Sequence, residues 1–430
     1  MRILYSLLTH LLRPIAVAVV LWRGLRNRQY WEGLPERFGF GRPMPEGALW
    51  VHAVSLGEVT AAAPLLRALQ ARYPESPLIV TTATLTGRAR ARELFGDSVA
   101  VRFLPYDTPG AMRRFLSRVR PRLAIIMETE LWPNLFRQCR RDSVPLVLAN
   151  ARLSMRSVAN YRRLGALFRD VFLGGTVVAA QSTADAERVI AIGAAPERVH
   201  VVGNLKFEVS SDAAAALSGR GLRSSLGESR SIWIAGSTHA GEEEAALAAH
   251  ARVRAAVPGA LLLLVPRHPQ RFAAVADLLT AQGVRFERRS ERADVSAATE
   301  VLLVDTVGEL GFLYAAVDVA FVGGSLVPVG GHNLLEPAAL GVPVVTGPYQ
   351  SNAREIAALL VREGAVLTVG DAQALAAAVS ELLSDPERRR RVGESGRRVV
   401  EQNRGNLERL LGLIQALLET GSEAAPSAAS

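Results

Sequence analysis

Residues 320–348 read AFVGGSLVPVGGHNLLEPAALGVPVVTGP, and this stretch decides the fold of the second half of the chain. Its pattern predicts an apolar strand, a glycine-rich loop, a short helix beginning near Leu334 and then a second strand. The loop contains Gly323, Gly324, Gly330 and Gly331. Glycine permits positive φ angles and lets backbone N–H groups come close to a ligand.

The end of this loop has the chemistry of a nucleotide site. A helix N-terminus attracts anions because its free N–H groups and its dipole point at the ligand. Glu336 falls in the first helical turn, where its carboxylate can accept hydrogen bonds from ribose hydroxyls. The pattern therefore favours a site for an activated sugar nucleotide. The alternative is a tight structural turn between two buried strands, since a glycine loop alone is weak evidence.

Strand and helix signals alternate along the whole chain. In the first half we predict strands at 48–54, 78–82, 99–104, 123–127, 146–149, 176–180 and 199–202. In the second half we predict strands at 232–235, 261–265, 301–304, 319–322, 342–345 and 365–369. This alternation is typical of α/β domains with parallel, doubly wound sheets. Ligands of such sheets bind outside the carboxyl ends of the strands, so we expect a cleft between two such domains.

Composition shifts divide the chain further. We predict a membrane anchor with a basic flank at 1–30, a Rossmann-like domain at 31–208 and a linker at 209–230. A second Rossmann-like domain is predicted at 231–403, a closing helix at 404–418 and a disordered tail at 419–430. The linker prediction depends on serine and glycine content, and the tail prediction on low hydrophobicity.

Composition and charge exclude several classes of protein. The 430 residues are 49% hydrophobic and 21% charged, which predicts a sizeable globular core in two or three domains. Cys139 is the single cysteine, so the chain forms no internal disulfide and no cysteine-based metal cluster. The net charge of +9 favours anionic partners. Nucleic acid is the weaker option, because no helix-turn-helix, zinc finger or aromatic-rich RNA-binding motif is present.

The N-terminus predicts a membrane anchor. Residues 3–22 read ILYSLLTHLLRPIAVAVVLW, close to the roughly 20 apolar residues that span a bilayer. Arg13 near the middle costs about 2.5–3.5 kcal/mol in a spanning helix. Five arginines follow between positions 23 and 42, which indicates a cytoplasmic flank that binds an anionic membrane surface. An amphipathic helix that packs on the protein itself, or that mediates oligomers, is the alternative.

In the first domain, carboxylates follow two predicted strands. Glu58 lies where the first strand passes into an apolar helix, and a carboxylate there can take a proton from a substrate hydroxyl. A purely helix-capping role is the alternative. Glu128 and Glu130 share another strand end, and buried carboxylates need partners. One solvated glutamate and one capping glutamate would be the simpler explanation for that pair.

Lys206 is the only lysine among 50 basic residues. A single lysine retained among arginines indicates a place that requires a compact ammonium on a flexible stem. Lys206, or an arginine, is therefore the expected partner of the paired carboxylates. Chance retention in a solvated loop is the alternative. We expect His52, after the first strand, to be a structural or binding residue.

Strand ends of the second domain carry further polar groups. Gly236, Ser237 and Thr238 precede a glutamate-rich helix, as either a helix cap or a phosphate seat. Arg267 follows a strand between two prolines and can pair with a phosphate through two parallel hydrogen bonds. The tripeptide Gly308, Glu309 and Leu310 opens another helix at a strand end.

Taken in order, these motifs resemble one known family. The segments are HAVSLGE, METELWPN, NARLS, GNLKF, AGSTHAGEE, PRHPQRF, GEL and GGSLVPVGGHNLLEPA, and they cover nearly the whole chain. The set resembles the 3-deoxy-D-manno-octulosonic acid (Kdo) transferases of lipopolysaccharide inner-core and lipid A biosynthesis. The resemblance implies a GT-B glycosyltransferase fold, with two Rossmann-like domains facing a cleft and an N-terminal anchor helix. It also implies the bacterial inner membrane, with the catalytic domains on the cytoplasmic face.

The resemblance further implies a reaction and the residues that perform it. Kdo passes from CMP-Kdo to a lipid A precursor of the lipid IVA type, with inversion at the anomeric carbon and release of CMP. The general base falls on Glu58, and transition-state stabilisation on Glu128 and Lys206. The first domain binds the acceptor and the second the nucleotide sugar. Contacts with CMP fall on Pro266, Arg267, Gly308, Glu309, Leu310, Asn333, Leu334, Leu335 and Glu336.

No cofactor and no metal are expected. The sequence shows no His/Asp ligand cluster, and backbone dipoles with Arg267 can stabilise a leaving phosphate. Two positions depart from the family pattern: Glu208 stands where aspartate is expected, and residues 351–353, SNA, lack an expected phenylalanine. Two rivals remain at this point. One is another enzyme of the same architecture, such as a sugar-nucleotide epimerase or a different glycosyltransferase, and the other is a non-catalytic membrane-bound scaffold.

Overall fold

The computed structural model describes residues 2–163, 165–208, 213–291 and 295–423, and these form two compact units. Unit 1 comprises the chain up to Glu208 together with the residues from Gly405 onward, and unit 2 comprises Val209–Arg404. The predicted disordered tail is wrong at its start, because residues 419–423 continue a helix. The rest of that tail, 424–430, lies outside the described residues.

Unit 1 contains a seven-stranded sheet in the order β3-β2-β1-β4-β5-β6-β7, with every pair parallel. The strands are β1 (Ala48–His52), β2 (Leu78–Thr82), β3 (Ala100–Phe103), β4 (Pro121–Met127), β5 (Leu146–Ala151), β6 (Val177–Ala180) and β7 (Val199–Val201). The helices are α1 (Arg2–Arg26), α2 (Leu56–Arg72), α3 (Leu85–Phe95), α4 (Pro109–Val119), α5 (Pro133–Arg141), α6 (Met155–Arg163), α7 (Gly165–Phe172) and α8 (Thr183–Ala191).

Unit 2 contains a second parallel sheet, in the order β10-β11-β9-β8-β12-β13-β14. Its strands are β8 (Ile232–Thr238), β9 (Leu261–Pro266), β10 (Phe286–Arg288), β11 (Val301–Leu303), β12 (Val319–Val322), β13 (Val344–Thr346) and β14 (Val366–Thr368). Its helices are α9 (Ala213–Leu226), α10 (Glu242–Ala256), α11 (Phe272–Ala281), α12 (Leu310–Tyr314), α13 (Leu335–Ala339), α14 (Arg354–Arg362), α15 (Ala372–Ser384) and α16 (Pro386–Gln402). The last helix, α17 (Asn406–Glu423), returns to unit 1.

Every strand predicted from the sequence overlaps a strand of the structure, and β10 was missed. Parallel strands are covered on both faces and appear as continuous apolar runs, which made the central strands easy to locate. In β1, Trp50 is fully buried, donates its indole N–H to Thr81 Oγ1 at 2.8 Å and packs edge-on against Phe115. By contrast, β10 is a half-buried edge strand of sequence FER. Its two charged residues interrupt the apolar run by which the other strands were predicted.

Helix α1 coincides with the predicted anchor. By length and composition it can cross a membrane, and only 6% of its most apolar window is buried in the protein. Its first two turns nevertheless contact unit 1. The Tyr5 hydroxyl donates to Asp107 Oδ2 at 2.8 Å, and Ser6 Oγ donates to Asn134 Oδ1 at 3.0 Å. The anchor therefore starts from a fixed point on the folded unit.

The prediction of a linker at 209–230 is wrong for residues 213–226, which form α9. Gly219 is buried where α9 meets α12, and a Cβ at this position would lie 2.7 Å from Phe312 O and 2.5 Å from the Ala315 Cβ. Arg223 on the same helix donates to Asp318 Oδ2 at 3.1 Å. The glycine that suggested a flexible linker is therefore a close helix–helix contact.

We expect Gly219→Ala to lower the free energy of unfolding of unit 2 by about 1–3 kcal/mol, because the new methyl group overpacks the contact with α12. Gly221→Ala is the matched control on the same helix, since a Cβ at Gly221 has nothing within 4 Å. Replacing an exposed helical glycine with alanine should stabilise by about 0.5–1 kcal/mol. Calorimetry of both variants measures the difference, and equal melting temperatures would contradict the packing role of Gly219.

Candidate active site

Glu58 is held at the N-terminus of α2 by three hydrogen bonds. Ser55 is the N-cap residue, and its hydroxyl accepts from Glu58 N at 3.4 Å and donates to Glu58 Oε1 at 3.0 Å. The backbone N–H of Val54 donates to Glu58 Oε2 at 2.9 Å. The capping role weighed as an alternative is therefore real. It also fixes the carboxylate at the edge of the sheet, so capping and proton transfer are compatible.

The environment of Glu58 raises the pKa of its carboxyl group toward neutral pH. Burial raises the pKa of Glu58 to about 7, and the negative charges of Glu128 and Glu130 act in the same direction. The hydrogen bonds from Val54 and Ser55 oppose this rise in pKa. A general base works best when its pKa lies near the operating pH, so Glu58 has the property that proton abstraction requires.

Glu128 and Lys206 meet at the same edge. Glu128 follows β4 with a φ of 55°, and its N–H donates to Ala149 O at 2.8 Å. Lys206 Nζ lies 3.8 Å from Glu128 Oε1, which confirms Lys206 as a partner of the paired carboxylates. The two side chains are 29% and 31% exposed, so the pair is solvated enough to rearrange around a ligand. The other carboxylate, Glu130, accepts from Trp132 Nε1 at 2.8 Å.

The loop that carries Lys206 is fixed by residues that sequence reasoning missed. Asn204 caps a 3-10 helix over Leu205–Phe207 by accepting from Lys206 N at 2.9 Å. Asn150 Oδ1 accepts from Leu205 N at 3.0 Å. Both contacts orient the loop toward the carboxyl ends of β4 and β5. Asn150 has a φ of 55°, a conformation that asparagine tolerates better than most residues.

Glu208, which departs from the family pattern, has a structural task. Its Oε1 accepts from Asn406 N at 2.6 Å and from Leu407 N at 3.1 Å. It therefore caps the N-terminus of α17, where a carboxylate is favoured by the helix dipole. Asn406 Nδ2 in turn donates to Asn204 O at 2.8 Å. The closing helix is thus bonded to both sides of Lys206.

His52 is a buried structural residue, one of the two roles expected for it. Its side chain is fully buried, and Nδ1 lies 3.0 Å from Thr81 O and 2.9 Å from Thr81 Oγ1. Burial lowers the pKa of His52 to about 4, so the ring is neutral at physiological pH. It is not a partner for Ser55, which bonds to Glu58 instead.

In unit 2 the glycine-rich loop closes around a buried carboxylate. The N–H groups of Gly324, Ser325 and Leu326 donate to Glu242 at 2.7, 2.9 and 2.9 Å. The N–H of His239 donates to the same carboxylate at 3.0 Å. Glu242, the first residue of α10, is fully buried. The anion that these N–H groups bind is therefore the Glu242 carboxylate of the protein itself.

The remaining glycines of the loop also bond internally. Gly330 and Gly331 donate their N–H groups to Gly324 O at 3.0 and 2.6 Å, and His332 N donates to Gly323 O at 3.2 Å. The expectation that the loop offers its N–H groups to a phosphate is therefore wrong for these positions. These hydrogen bonds instead hold the backbone of the loop that leads into α13. Glu336 lies in the first turn of α13 as predicted, and it accepts from Asn333 Nδ2 at 3.0 Å.

The residues implied for CMP lie at one edge of the second sheet. Pro266 ends β9, and the side chain of Arg267 that follows is exposed. Gly308 has a φ of 87° after β11. Glu309 then occupies the N-cap position of α12, and its side chain accepts from Arg289 Nε at 3.3 Å. Because parallel strands end at a common edge, these residues share that edge with residues 333–336, which follow β12.

A histidine pair lies beside this edge and was missed from the sequence. His239 Nε2 and His332 Nε2 are 2.8 Å apart, and the two rings stack. Burial lowers the pKa of His332 to about 4, so one neutral ring donates and the other accepts. His268 packs edge-on against His239. Within the described ranges, no three His, Cys, Asp or Glu side chains are arranged to hold a metal ion.

Comparison with known proteins agrees with this arrangement. Residues 32–209 match the family model described as 3-Deoxy-D-manno-octulosonic-acid transferase (kdotransferase), and residues 260–399 match the model described as Glycosyl transferases group 1. The 3-deoxy-D-manno-octulosonic acid transferase of Haemophilus influenzae is 42% identical over 423 residues, 97% of this chain and 99% of that protein. The chain belongs to the family of 3-deoxy-D-manno-octulosonic acid transferases.

Other relatives agree with this assignment. The 3-deoxy-D-manno-octulosonic acid transferase of Bordetella pertussis is 39% identical over 94% of this chain and 97% of its own length. UDP-GlcNAc 2-epimerase from Neisseria meningitidis, bound to UDP-GlcNAc, is 13% identical with a TM-score of 0.57, over 86% of this chain and all of that one. At that identity the likeness shows the GT-B fold alone. The family models and relatives support a glycosyltransferase, and not the epimerase or the non-catalytic scaffold weighed from the sequence.

We expect Glu242→Gln to lower the free energy of unfolding of unit 2 by about 1.5–3 kcal/mol or more, because an amide N–H₂ would then face backbone N–H donors. Glu244→Gln, two residues further along α10, is the control. Its carboxylate is exposed and accepts only from Gly241 N among the described contacts. Chemical denaturation of both variants measures the two losses, and equal losses would show that the buried carboxylate is not what organises the glycine-rich loop.

We expect Glu128→Gln to lower the pKa of Glu58 from about 7, because the substitution removes a neighbouring negative charge. Infrared difference titration measures this pKa from the carboxylate band that disappears in Glu58→Gln. Glu75→Gln, on the exposed surface of unit 1, should leave the midpoint where it is. An unchanged midpoint in Glu128→Gln would mean that burial alone sets the pKa.

Proposed function

We propose that this Kdo transferase moves Kdo from CMP-Kdo to a lipid A precursor of the lipid IVA type, with inversion at the anomeric carbon and release of CMP. The proposal depends above all on one observation. Glu58 is a fixed carboxylate with a pKa of about 7, placed at the strand edge where Glu128 and Lys206 also lie. Family membership supports Kdo as the transferred sugar, and the geometry of unit 1 supports Glu58 as the base.

The proposed reaction is a single direct displacement. A primary hydroxyl on the glucosamine disaccharide of the acceptor attacks the anomeric carbon of Kdo. Glu58 takes the hydroxyl proton as the new oxygen–carbon bond forms, and the bond from Kdo to the CMP phosphate breaks with its electron pair leaving on CMP. One displacement at one carbon inverts its configuration. The reaction balances with a protonated Glu58, which returns its proton to solvent.

Lys206 and Glu128 are the proposed transition-state stabilisers. The ammonium of Lys206 can stabilise the negative charge of the departing CMP or of the Kdo carboxylate. Glu128 can orient Lys206, from which it lies 3.8 Å away, or balance positive charge that develops on the sugar. The hydrogen bonds from Asn150 and Asn204 hold the Lys206 loop in place, which preorganises this charge before the donor arrives.

Unit 2 is the proposed CMP-binding unit, and unit 1 the acceptor-binding unit. The exposed guanidinium of Arg267 can pair with the phosphate, and Glu336 with the ribose hydroxyls. The other proposed CMP contacts are Pro266, Gly308, Glu309, Leu310, Asn333, Leu334 and Leu335. Their position at one edge of a doubly wound sheet supports this assignment, because nucleotides bind there.

Helix α1 is the proposed anchor in the bacterial inner membrane, with both units on the cytoplasmic face. Its apolar surface is exposed, and arginines follow it directly. Basic residues after an apolar helix favour the cytoplasmic side and attract anionic headgroups. The same membrane holds a lipid acceptor, so anchoring brings the enzyme and the acceptor onto one surface.

We expect Glu58→Gln to reduce Kdo transfer by about 10²–10⁴-fold, because the amide cannot accept the proton. CMP-Kdo binding should stay close to that of the wild type. In the wild type, kcat/KM should rise with pH with a midpoint near 7, because only the ionised carboxylate acts as a base. Radiolabelled lipid transfer and calorimetric binding measure both properties, with Glu75→Gln as the charge-matched control. Near-normal turnover by Glu58→Gln would remove Glu58 from the role of base.

A further inference from the structure

Three arginines near the end of β3 share one charged neighbour, the carboxylate of Glu36. We call Arg37, Arg88, Arg102 and the neighbouring Glu36 the arginine cluster. The guanidinium carbon of Arg37 lies 3.9 Å from the Phe103 ring centroid, and that of Arg88 lies 4.6 Å from it. Arg37 and Arg88 are each only 8% exposed, and Arg102 is half-buried. Arginines buried this deeply normally have a partner for each charge.

The arginine cluster has more buried donors than acceptors. Among the described residues, Arg37 Nε, Arg88 Nε and Nη1, and Arg102 Nη1 are buried without a hydrogen-bond partner. Glu36 is the carboxylate in contact: Oε1 lies 3.4 Å from Arg88 Nη2, and Oε2 accepts from Phe103 N at 2.9 Å. Glu32 acts on Arg88 only through space. Buried donors without partners carry a desolvation cost that a bound anion would remove.

Charge indicates the class of anion. Three guanidinium groups and one carboxylate leave the arginine cluster with two positive charges in excess. Burial lowers the pKa of Arg37, Arg88 and Arg102, and mutual repulsion lowers that of Arg37 further through Arg88. A phosphomonoester carries about −1.5 to −2 charges at neutral pH and three acceptor oxygens. Its charge matches the excess, and its oxygens match the fork geometry of guanidinium groups.

The arginine cluster lies beside Glu58. Arg37 Nη1 and Nη2 both lie 3.4 Å from Ala83 O, and Ala83 N donates to Val54 O at 3.1 Å. Val54 N is the donor that fixes the Glu58 carboxylate at 2.9 Å. A short path of hydrogen bonds therefore joins the guanidinium of Arg37 to the proposed base.

A groove with apolar lining begins one residue after Arg37 in the chain. Phe38, next to Arg37 in sequence, lines a groove of about 710 Å³ together with Phe40 and with Val17 and Leu21 of α1. Arg114 also lines the groove, with its guanidinium over the Phe40 ring at 4.5 Å. A phosphate bound by the arginine cluster would thus lie near both Glu58 and apolar surface, as a phosphorylated glycolipid acceptor requires.

We propose that Arg37, Arg88 and Arg102 form an anion site that binds a phosphomonoester of the acceptor lipid and so orients the acceptor hydroxyl toward Glu58. The proposal rests on the proposed function for the identity of the acceptor, but the anion site itself does not. The three arginines act as positioning residues, because they hold the acceptor away from the reacting atoms. Their effect should appear in acceptor binding and not in donor binding.

The first experiment measures anion binding without turnover. Full-length protein in detergent is melted with and without millimolar inorganic phosphate, for the wild type, Arg102→Gln and the control Arg67→Gln. Arg67 is exposed on α2. Phosphate should raise the melting temperature of the wild type and of Arg67→Gln but not of Arg102→Gln. Without phosphate, Arg102→Gln should melt no lower than the wild type, because it loses an unpaired charge. The proposal would be overturned if Arg102→Gln melts at a lower temperature than the wild type without phosphate but is stabilised by phosphate as much as the wild type. That result would show a purely structural role for Arg102.

The second experiment separates acceptor from donor. For an acceptor with its phosphomonoester, Arg102→Gln should raise the acceptor KM by about tenfold or more, the loss expected for charge-assisted hydrogen bonds. The KM for CMP-Kdo should stay unchanged, and with an acceptor lacking that phosphate the variant and the wild type should have the same KM. Arg88→Gln provides a second variant. An equal loss with both acceptors would overturn the assignment to the acceptor phosphate.

A third arm separates the acceptor from the bulk membrane. Co-sedimentation with vesicles of phosphatidylglycerol, whose headgroup is a phosphodiester, should be the same for the wild type and Arg102→Gln. Weaker sedimentation of the variant would assign the arginine cluster to general membrane binding and overturn the proposal. If the wild type transfers Kdo to no lipid but keeps an Arg102-dependent phosphate shift, the proposed function fails while the anion site stands.

Discussion

Parallel pairing of every strand in both sheets is the constraint on which the rest of this structure depends. Parallel strands need crossover connections, which are usually helices, so most strand ends here are followed by a loop and a helix N-terminus at the same edge. Chain segments far apart in sequence therefore place their polar residues along the same edge of a sheet. Glu58 after β1, Glu128 after β4 and Lys206 after β7 come together in this way. In unit 2, Arg267, Glu309 and Glu336 likewise follow the ends of three parallel strands.

Two glutamates at helix starts show how the local environment separates a carboxylate with a structural role from one with a raised pKa. Glu242 accepts four backbone N–H groups and is fully buried, so its charge is fully committed to holding the glycine-rich loop. Among the described contacts, Glu58 accepts from Val54 N and Ser55 Oγ, and it faces the like charges of Glu128 and Glu130. For Glu58, burial and charge repulsion raise the pKa by more than the hydrogen bonds lower it. The same residue type at the same kind of position is a structural support in unit 2 and the proposed proton acceptor in unit 1.

Some of these features could be predicted and others could not. The central strands appear in the sequence because both of their faces are covered, which makes each an unbroken apolar run. The edge strand β10 was missed because its sequence, FER, has no such run. Helix α9 was taken for a linker because Gly219 counts as a flexible residue in composition. Its actual role, contact with the backbone of Phe312, depends on a helix more than ninety residues further along. The pairing of Glu128 with Lys206 was foreseen, but the capping of α17 by Glu208 was not.

The sequence by itself determined the alternating architecture, the apolar N-terminal helix and the family, because these depend on local periodicity and on ordered motifs. Only the tertiary structure decided how the polar groups are paired. It paired the N–H groups of the glycine-rich loop with Glu242, and among the described residues it left four buried guanidinium nitrogen atoms of Arg37, Arg88 and Arg102 without hydrogen-bond partners. The reason is physical: a hydrogen bond forms with whichever group the fold brings within about 3 Å. Loop composition carries no information about a carboxylate some eighty residues away.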